Sequence, residues 1–294
     1  MHTLFQSIRP SFLILTPICV FLGTSTALAT QASVDPVALA LIVIGAVCAH
    51  ISVNTLNEYA DFKSGLDLIT IKTPFSGGSG ALPANPAMAN MVLATGLVTL
   101  SITAAVGLYF VNTHGLPVLA IGIIGTAIIL TYTRWINRWA LLCLIAPGLG
   151  FGILMVVGTH YVLTQEISMA AWLAALVPFF LVNNLLLLNQ FPDIDADRSI
   201  GRRHLPITSG PRISSYVYGA LSISAYLVIL LGIYYGHFPL LSLIATVPVL
   251  LSLFSLRGAL RHGDKIGAHQ QYLGANVAVT LLVPALLGIS IIIA

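Results

Sequence analysis

Charged residues are the scarcest feature of this 294-residue chain, because Asp, Glu, Lys and Arg together make up only 7% of it. Ordinary soluble domains carry about a quarter. With 57% hydrophobic residues, a soluble fold could not cover its surface with polar groups. The composition argues against a soluble domain, a disordered chain and a nucleic-acid-binding protein. It favours an all-α integral membrane protein, folded as one domain over residues 1–294.

Cysteine is also scarce. Cys19, Cys48 and Cys143 all fall within long apolar runs, and their spacing fits no metal-binding or disulfide pattern. We interpret them as small buried apolar residues.

Long apolar runs are abundant, and a run of about 20 residues predicts a membrane-spanning helix. Nine such runs are present, at 11–30, 36–56, 88–111, 116–133, 140–163, 170–188, 214–236, 239–256 and 273–293. The sequence therefore predicts a bundle of nine transmembrane helices.

The basic residues predict the orientation of this bundle. All 12 Lys and Arg residues fall in alternate connections of the nine-helix map. Under the positive-inside rule, the N-terminus is then cytoplasmic and the C-terminus lies outside. One alternative stays open, since Arg9, the following apolar run and Ala27-Leu28-Ala29 could form a cleaved signal peptide. That run exceeds the usual signal length of about 7–15 residues, so we expect residues 1–30 to be retained.

Six of the nine acidic residues are concentrated in two short segments, 57–67 and 189–197, which follow the second and sixth predicted helices. Each segment reads Asn-x-x-x-Asp and then has a further Asp. The two Asn residues lie 132 positions and four helices apart. This spacing predicts a parallel repeat, with helices 1–4 matched by helices 5–8.

Helical periodicity predicts which of these side chains converge. If the sixth helix continues through its motif, Asn189, Asp193 and Asp197 share one face, whereas Asp195 points away from it. On the second helix, Asn57 and Asp61 likewise share a face. His50 and Asn54 extend that polar stripe into the membrane.

Several carboxylates on one face remain ionised together only if cations join them. Oxygen ligands suit Mg²⁺, which commonly completes its shell with substrate phosphates. Basic residues accompany both motifs, and Lys72 and Arg202 each lie five positions after an Asp. A Gly/Ser-rich loop at 73–80 could bring backbone N–H groups to phosphate oxygens. The segments predict a site for a phosphorylated ligand, although solvated loops of mixed charge remain an alternative.

These motifs resemble those of the UbiA superfamily of intramembrane prenyltransferases. The second motif carries the resemblance further, through Gly201, Arg202, Arg203 and Leu205-Pro206. The resemblance implies helices around a central cavity, Mg²⁺ held by both motifs, and transfer of a prenyl chain from its diphosphate to an aromatic acceptor. The implied Mg²⁺ ligands are Asn57, Asp61, Asp67, Asn189, Asp193 and Asp197, and the four Asp residues among them are the implied catalytic groups. The implied diphosphate-binding residues are Lys72, Arg198, Arg202 and Arg203.

The first motif and the loop after it resemble the 1,4-dihydroxy-2-naphthoate polyprenyltransferase (MenA-like) branch, which serves menaquinone biosynthesis. The sequence after Tyr132-Thr133 departs from that branch, because it lacks the Gly-Glu pair that the branch tends to have there. The acceptor therefore stays open between a naphthoate, 4-hydroxybenzoate, a tetrapyrrole and a glycerol-phosphate lipid. His50, Asn54 and Tyr132 are weaker predictions for contacts to the acceptor, and Glu58 for indirect support. The resemblance implies a bacterial cytoplasmic (inner) membrane, with the site facing the cytoplasm. The main rival of another class is a secondary transporter.

Overall fold

Every regular element in the computed structural model, which describes residues 2–30 and 33–294, is a helix. A helix satisfies its own backbone hydrogen bonds, as the interior of a bilayer requires. In this described part, eight helices are long and apolar enough to cross a membrane, namely His2–Thr30, Pro36–Ser64, Pro86–His114, Ala140–Thr164, Met169–Asn189, Leu205–Tyr234, Leu240–Ala268 and Gln270–Ile293. The predicted all-helical membrane architecture is confirmed.

The fourth predicted span, 116–133, is the shorter apolar helix Leu116–Thr131. At 1.5 Å per residue, this helix is about 24 Å long, which is less than the roughly 30 Å hydrocarbon core of a bilayer. The nine-span count and the orientation of the two termini therefore stay predictions.

We number the main helices α1 to α9. They are α1 (Leu15–Thr30), α2 (Pro36–Ser64), α3 (Ala89–His114), α4 (Leu116–Thr131), α5 (Ala140–Thr164), α6 (Met169–Asn189), α7 (Leu205–Tyr234), α8 (Val249–His262) and α9 (Gln270–Ile293). Short α-helices lie at His2–Ile8, Pro10–Leu13, Leu66–Ile69, Ala81–Ala84 and Ile194–Ser199, and 3₁₀ segments at Pro86–Met88, Ile136–Arg138, Leu240–Thr246 and Gly263–Ala268.

The ends of α2 show how local sequence positions the first motif. Asp35 caps the start of α2, where its carboxylate accepts a hydrogen bond of 2.9 Å from the backbone N–H of Val37. Gly65 ends α2 with φ at +80°, in the left-handed region that glycine adopts without steric penalty. The chain therefore reverses within the first motif, so that Asp61 lies on α2 and Asp67 on the next short helix.

Helix α7 begins earlier than the predicted start at residue 214. It starts at Leu205 and contains a kink at Gly210, where φ is +81°. Before residue 214, polar residues and a Gly-Pro pair lower the hydropathy of the sequence, and such a stretch predicts a connection between helices. Gly210 itself is not helical, so a short helical segment from Leu205 meets a longer one at this kink, and Pro211 lies in the first turn of the longer segment.

Helix α5 changes from α-helical to π-helical geometry midway along its length. A π-helical stretch, Leu149–Val157, separates its two α-helical ends and follows Pro147. Glycines on this stretch permit close packing against α6: a Cβ at Gly152 would lie 2.5 Å from the backbone nitrogen of Phe179. Phe151 and Leu154, on the same stretch, line the central cavity.

The main core joins α1, α5, α6, α7 and α9. Leu15, Cys19 and Leu22 of α1 are buried in it, so the segment that could resemble a signal peptide packs in this core. Cys19 and Cys143 are buried as expected, Cys48 is half-buried, and all three are free thiols.

Beside this core lies a cavity of about 910 Å³. Its wall is mostly apolar and is contributed largely by α2, α3, α4 and α5. Both acidic motifs lie at one end of the cavity, which confirms the helical bundle around a central cavity that the resemblance implied.

Candidate active site

The polar end of the cavity gathers both motifs. All six side chains implied as Mg²⁺ ligands line it: Asn57, Asp61, Asp67, Asn189, Asp193 and Asp197. They come from the end of α2, the end of α6 and the short segments that follow each helix. Residues more than 120 positions apart in the chain thus form one acidic cluster.

The second motif reaches this cluster by a route that differs from the predicted continuous helix. Helix α6 ends at Asn189, a turn follows, and a separate short helix runs from Ile194 to Ser199. The assumption of a shared helical face was therefore wrong. Asp193 and Asp197 nevertheless line the cavity. Asp195 points away, as expected, with 90% of its side chain exposed.

The Gly/Ser-rich loop lies across the cluster and contacts both motifs. The backbone N–H of Gly77 donates a hydrogen bond of 3.2 Å to Asp193 Oδ2. Gly78 has φ of +73°, and a Cβ on it would lie 2.6 Å from Asp67 Oδ1. Glycine is required here because the backbone approaches the carboxylate so closely.

Arg202 joins the two motifs electrostatically. One terminal nitrogen donates to Asp197 Oδ1 at 2.8 Å, and the other forms an ion pair with Asp61. His204 Nε2 lies 2.8 Å from the other oxygen of Asp197. Both oxygens of Asp197 are therefore occupied, and this carboxylate holds Arg202 in place.

The other three predicted diphosphate-binding cations lie outside the cavity lining. Lys72 donates to the backbone carbonyl of Ser79. Arg198 pairs with Asp195 at 3.1 Å, and Arg203 is exposed. Their proximity in sequence to the motifs suggested a shared site, but short loops allow neighbouring side chains to point in opposite directions.

Arg9 lines the cavity, although the sequence analysis assigned it no role in the site. Its guanidinium pairs with Glu58 Oε2 at 3.0 Å, and the Glu58 side chain is fully buried. The backbone N–H of Ser79, in the Gly/Ser loop, donates to the same Glu58 oxygen at 3.2 Å. Glu58 thus supports the site indirectly, as predicted, by holding both Arg9 and the loop. A lone Arg before the first helix was the available sequence signal.

Burial alters the charge state of the acidic cluster. It raises the pKa of Asp67 to about 7, with the nearby Glu58 and Asp61 carboxylates adding to the effect. Burial, reinforced by Asp197, likewise raises the pKa of Asp193 to about 7. A bound cation would favour ionisation of both groups.

The unpaired oxygens of the cluster fit a hard cation. Asp67 Oδ2, Asp193 Oδ1 and Asn189 Oδ1 are buried and have no hydrogen-bond partner in the described part of the chain. Within residues 2–30 and 33–294, no group of three His, Cys, Asp or Glu side chains forms a complete metal site. Mg²⁺ commonly uses one or two carboxylates and completes its shell with water and substrate phosphates. The donor set therefore fits Mg²⁺ that is shared with a phosphorylated ligand.

The three residues predicted to contact the acceptor also line the cavity. His50 Nδ1 lies 2.7 Å from the hydroxyl of Thr16, and Asn54 donates to the backbone carbonyl of Ile8 at 2.9 Å. These bonds fix the orientations of His50 and Asn54. Tyr132 lies at the end of α4.

Asn137, Gln190 and His204 also line the cavity and were not predicted. Asn137 and Gln190 lie within four residues of the ends of predicted spans, where polar residues carry no specific signal. Their positions depend on how the connections fold back over the cavity.

The UbiA prenyltransferase family model matches residues 16–282. The 1,4-dihydroxy-2-naphthoate octaprenyltransferase of Bacillus subtilis (strain 168) is 28% identical over 209 residues, which cover 70% of this chain and 66% of the relative. That of Haemophilus influenzae (strain ATCC 51907 / DSM 11121 / KW20 / Rd) is 25% identical over 210 residues, covering 70% and 68%. The match thus spans about two thirds of the length of these relatives.

Solved structures show the same fold. A UbiA homolog from Archaeoglobus fulgidus bound to DMAPP and Mg²⁺ has a TM-score of 0.68 and 14% identity, with 99% of each chain covered. A UbiA homolog from Aeropyrum pernix K1 has a TM-score of 0.73 and 18% identity, with 95% of this chain and 97% of the other covered.

Proposed function

Because the chain belongs to the UbiA prenyltransferase family, we propose that it transfers an isoprenyl chain from a prenyl diphosphate to an aromatic acceptor and releases pyrophosphate. The observation that carries this proposal is the division of one cavity into a charged end and a long apolar wall. A prenyl diphosphate has the same two parts, an ionic head and a lipid-like tail.

The charged end supports departure of the diphosphate. Arg9 and Arg202 both line it and supply positive charge for the leaving oxygens. Arg202 Nε is buried and has no partner, so this donor is free for a ligand. Asp67, Asp193 and Asn189 would hold Mg²⁺ through their unpaired oxygens, and the ion would supply charge neutralisation for the leaving group.

The apolar wall supports the organic half of the reaction. Residues such as Phe151, Leu154 and Met155 of α5 would surround the prenyl tail. Exclusion of bulk water from this region protects a developing allylic cation from hydrolysis. The carbon–oxygen bond to the diphosphate breaks, and a ring carbon of the acceptor forms the new bond to the prenyl group. That carbon then loses its proton to a base or to water, which restores the aromatic ring.

For the acceptor, we propose 1,4-dihydroxy-2-naphthoate. Two relatives that carry the name of its octaprenyltransferase support this choice. We place the acceptor beside His50, Asn54 and Tyr132, where polar side chains meet the apolar wall. Family membership argues against the secondary-transporter alternative, and the pairing of Arg202 with two of the acids would weaken a simple cation-transport site.

We further propose that the protein lies in a bacterial cytoplasmic membrane with this polar end facing the cytoplasm. The alternation of all 12 basic residues supports this orientation.

The deciding experiment supplies purified full-length protein with Mg²⁺, prenyl diphosphates of several lengths and either 1,4-dihydroxy-2-naphthoate or 4-hydroxybenzoate. We expect pyrophosphate release and a prenylated naphthoate, identified by mass. Product from benzoate alone would overturn the proposed acceptor. The absence of Mg²⁺-dependent product with every acceptor class, including a tetrapyrrole and a glycerol-phosphate lipid, would overturn the reaction itself.

A further inference from the structure

A second, shallower groove of about 430 Å³ lies on the outer surface of α8. It is lined by Leu253, Leu256, Arg257, Leu260 and Arg261. Residues at these spacings share one face of a helix. None of the five lines the central cavity, so the groove is separate from the candidate active site.

The leucine part of this groove faces the lipid. Leu253 is 56% exposed and Leu260 is 47% exposed, which is typical of side chains that contact acyl chains in a membrane protein. Gly219 of α7 brings the neighbouring helix close, because a Cβ on it would lie 3.3 Å from Leu256. The groove is therefore an open, largely apolar strip along α8, with α7 packed beside Leu256.

Neither arginine forms an ion pair with an acid of the described residues. The basic groups that form ion pairs among the described residues are Arg9, Arg198, Arg202 and His204. Arg257 and Arg261 are not among them. Lys265 and Arg212 are also exposed near this end of α8, whereas Asp264 is the nearby acid. An unpaired guanidinium binds phosphate oxygens through two parallel hydrogen bonds.

The order of residues along α8 sets the orientation of a ligand. Arg257 and Arg261 lie about 6 Å and 12 Å beyond Leu253 along the helix axis. They are also at the end of the molecule that carries both motifs, since Gly267, just after α8, packs against Pro192 and Thr73. A ligand would therefore place its anionic head at the membrane interface and its chains along the leucines.

From this geometry we propose that the groove binds an anionic phospholipid, with its phosphate between Arg257 and Arg261 and an acyl chain over Leu253 and Leu260. Charge complementarity selects an anionic head over a zwitterionic one, because basic pockets beside membrane helices attract anionic lipids. This binding is independent of the proposed prenyl transfer.

The test measures binding of dioleoyl phosphatidylglycerol to the purified full-length protein in detergent, with dioleoyl phosphatidylcholine as the comparison lipid. Each arginine near an anionic headgroup contributes about fivefold in affinity. The double substitution Arg257→Gln/Arg261→Gln should therefore weaken phosphatidylglycerol binding by about 25-fold. Phosphatidylcholine should bind the parent protein much more weakly and respond little to the substitution.

The matched control is Arg134→Gln/Arg138→Gln, which removes two exposed arginines with the same spacing outside the groove. It should leave the affinity unchanged, and the melting temperature without lipid shows that each variant folds. An equal loss in both double variants, or equal affinity for the two lipids, would overturn the site. Displacement of the lipid by millimolar glycerol 3-phosphate would show that the groove binds a free phosphate compound. A dimer that is present in the parent protein and lost in the groove variant would show that a second copy of the chain occupies the groove. Either result also overturns the lipid proposal.

Discussion

Replacing Arg202 by Gln tests whether the guanidinium that joins the two motifs also holds the donor. Arg202 pairs with Asp61 and Asp197 while its Nε remains buried and unpartnered. Gln removes the positive charge and the planar fork together. The proposed function therefore predicts weaker diphosphate binding in the transition state, in a protein that retains its apolar cavity.

The expected size of the effect follows from hydrogen bonds to charged groups, which contribute about 1.5–3 kcal/mol each. The loss of one such bond to the leaving diphosphate lowers kcat/KM by about 10- to 150-fold. Arg202→Lys should lie between the parent and Arg202→Gln, because Lys restores a point charge but cannot bridge two carboxylates in the same way. Removing one partner of a buried pair also destabilises the fold by about 3–5 kcal/mol.

The assay is Mg²⁺-dependent pyrophosphate release at several donor concentrations, with thermal unfolding measured in parallel. Arg203→Gln is the matched control, since Arg203 is the next residue but is exposed and outside the cavity. It should retain near-parental kcat/KM. Turnover of folded Arg202→Gln within threefold of the parent, or an equal loss in Arg203→Gln, would refute the proposed role of Arg202.

Three further predictions concern the acidic cluster. Asp193→Asn should abolish Mg²⁺-dependent pyrophosphate release, whereas Asp195→Asn, at an exposed side chain, should retain most of it; equal losses would contradict the assigned geometry. Because burial raises the pKa of Asp67 and Asp193 to about 7, the Mg²⁺-free folded protein binds more protons than the unfolded chain between about pH 4 and 7. The melting temperature of the Mg²⁺-free protein should therefore fall as pH rises through that window. Mg²⁺ with a prenyl diphosphate should restore the melting temperature above pH 7. A melting temperature that does not change with pH would contradict the raised pKa values of Asp67 and Asp193. Gly78→Ala should greatly reduce activity by displacing Asp67. The control is Gly236→Ala, which is also at positive φ but has open space around it; it should cost about 1 kcal/mol in stability and leave activity intact. Similar activity in both variants would argue against a role of the Gly/Ser-rich loop in the site.

The helices were predictable because their signal is local. Apolar runs marked every main helix, although Leu116–Thr131 is shorter than its predicted span and α7 begins at Leu205 rather than residue 214. Helix boundaries were less predictable, since the polar stretch that starts at Leu205 forms a short helical segment before the interruption at Gly210.

The acidic cluster was predictable for a different reason. Charges are so costly in a membrane protein that two matched groups of acids indicated a site before any contact was known. The path of the chain through that site was not predictable: Asp193 and Asp197 reach the cavity from a turn and a separate helix, and Asp195 faces outward. The parallel repeat of helices 1–4 and 5–8 stays a prediction.

The sequence by itself determined the membrane setting and the helical architecture, because hydropathy acts residue by residue. The resemblance of its two motifs to the family implied the six polar residues that meet at the cavity. Tertiary structure alone decided which cations enter the site. Arg202 reaches Asp61 across 141 positions and Arg9 reaches Glu58 across 49, whereas Lys72, Arg198 and Arg203 do not line the cavity. Such contacts depend on how distant helices pack and how the connections between them fold back, which no local pattern specifies.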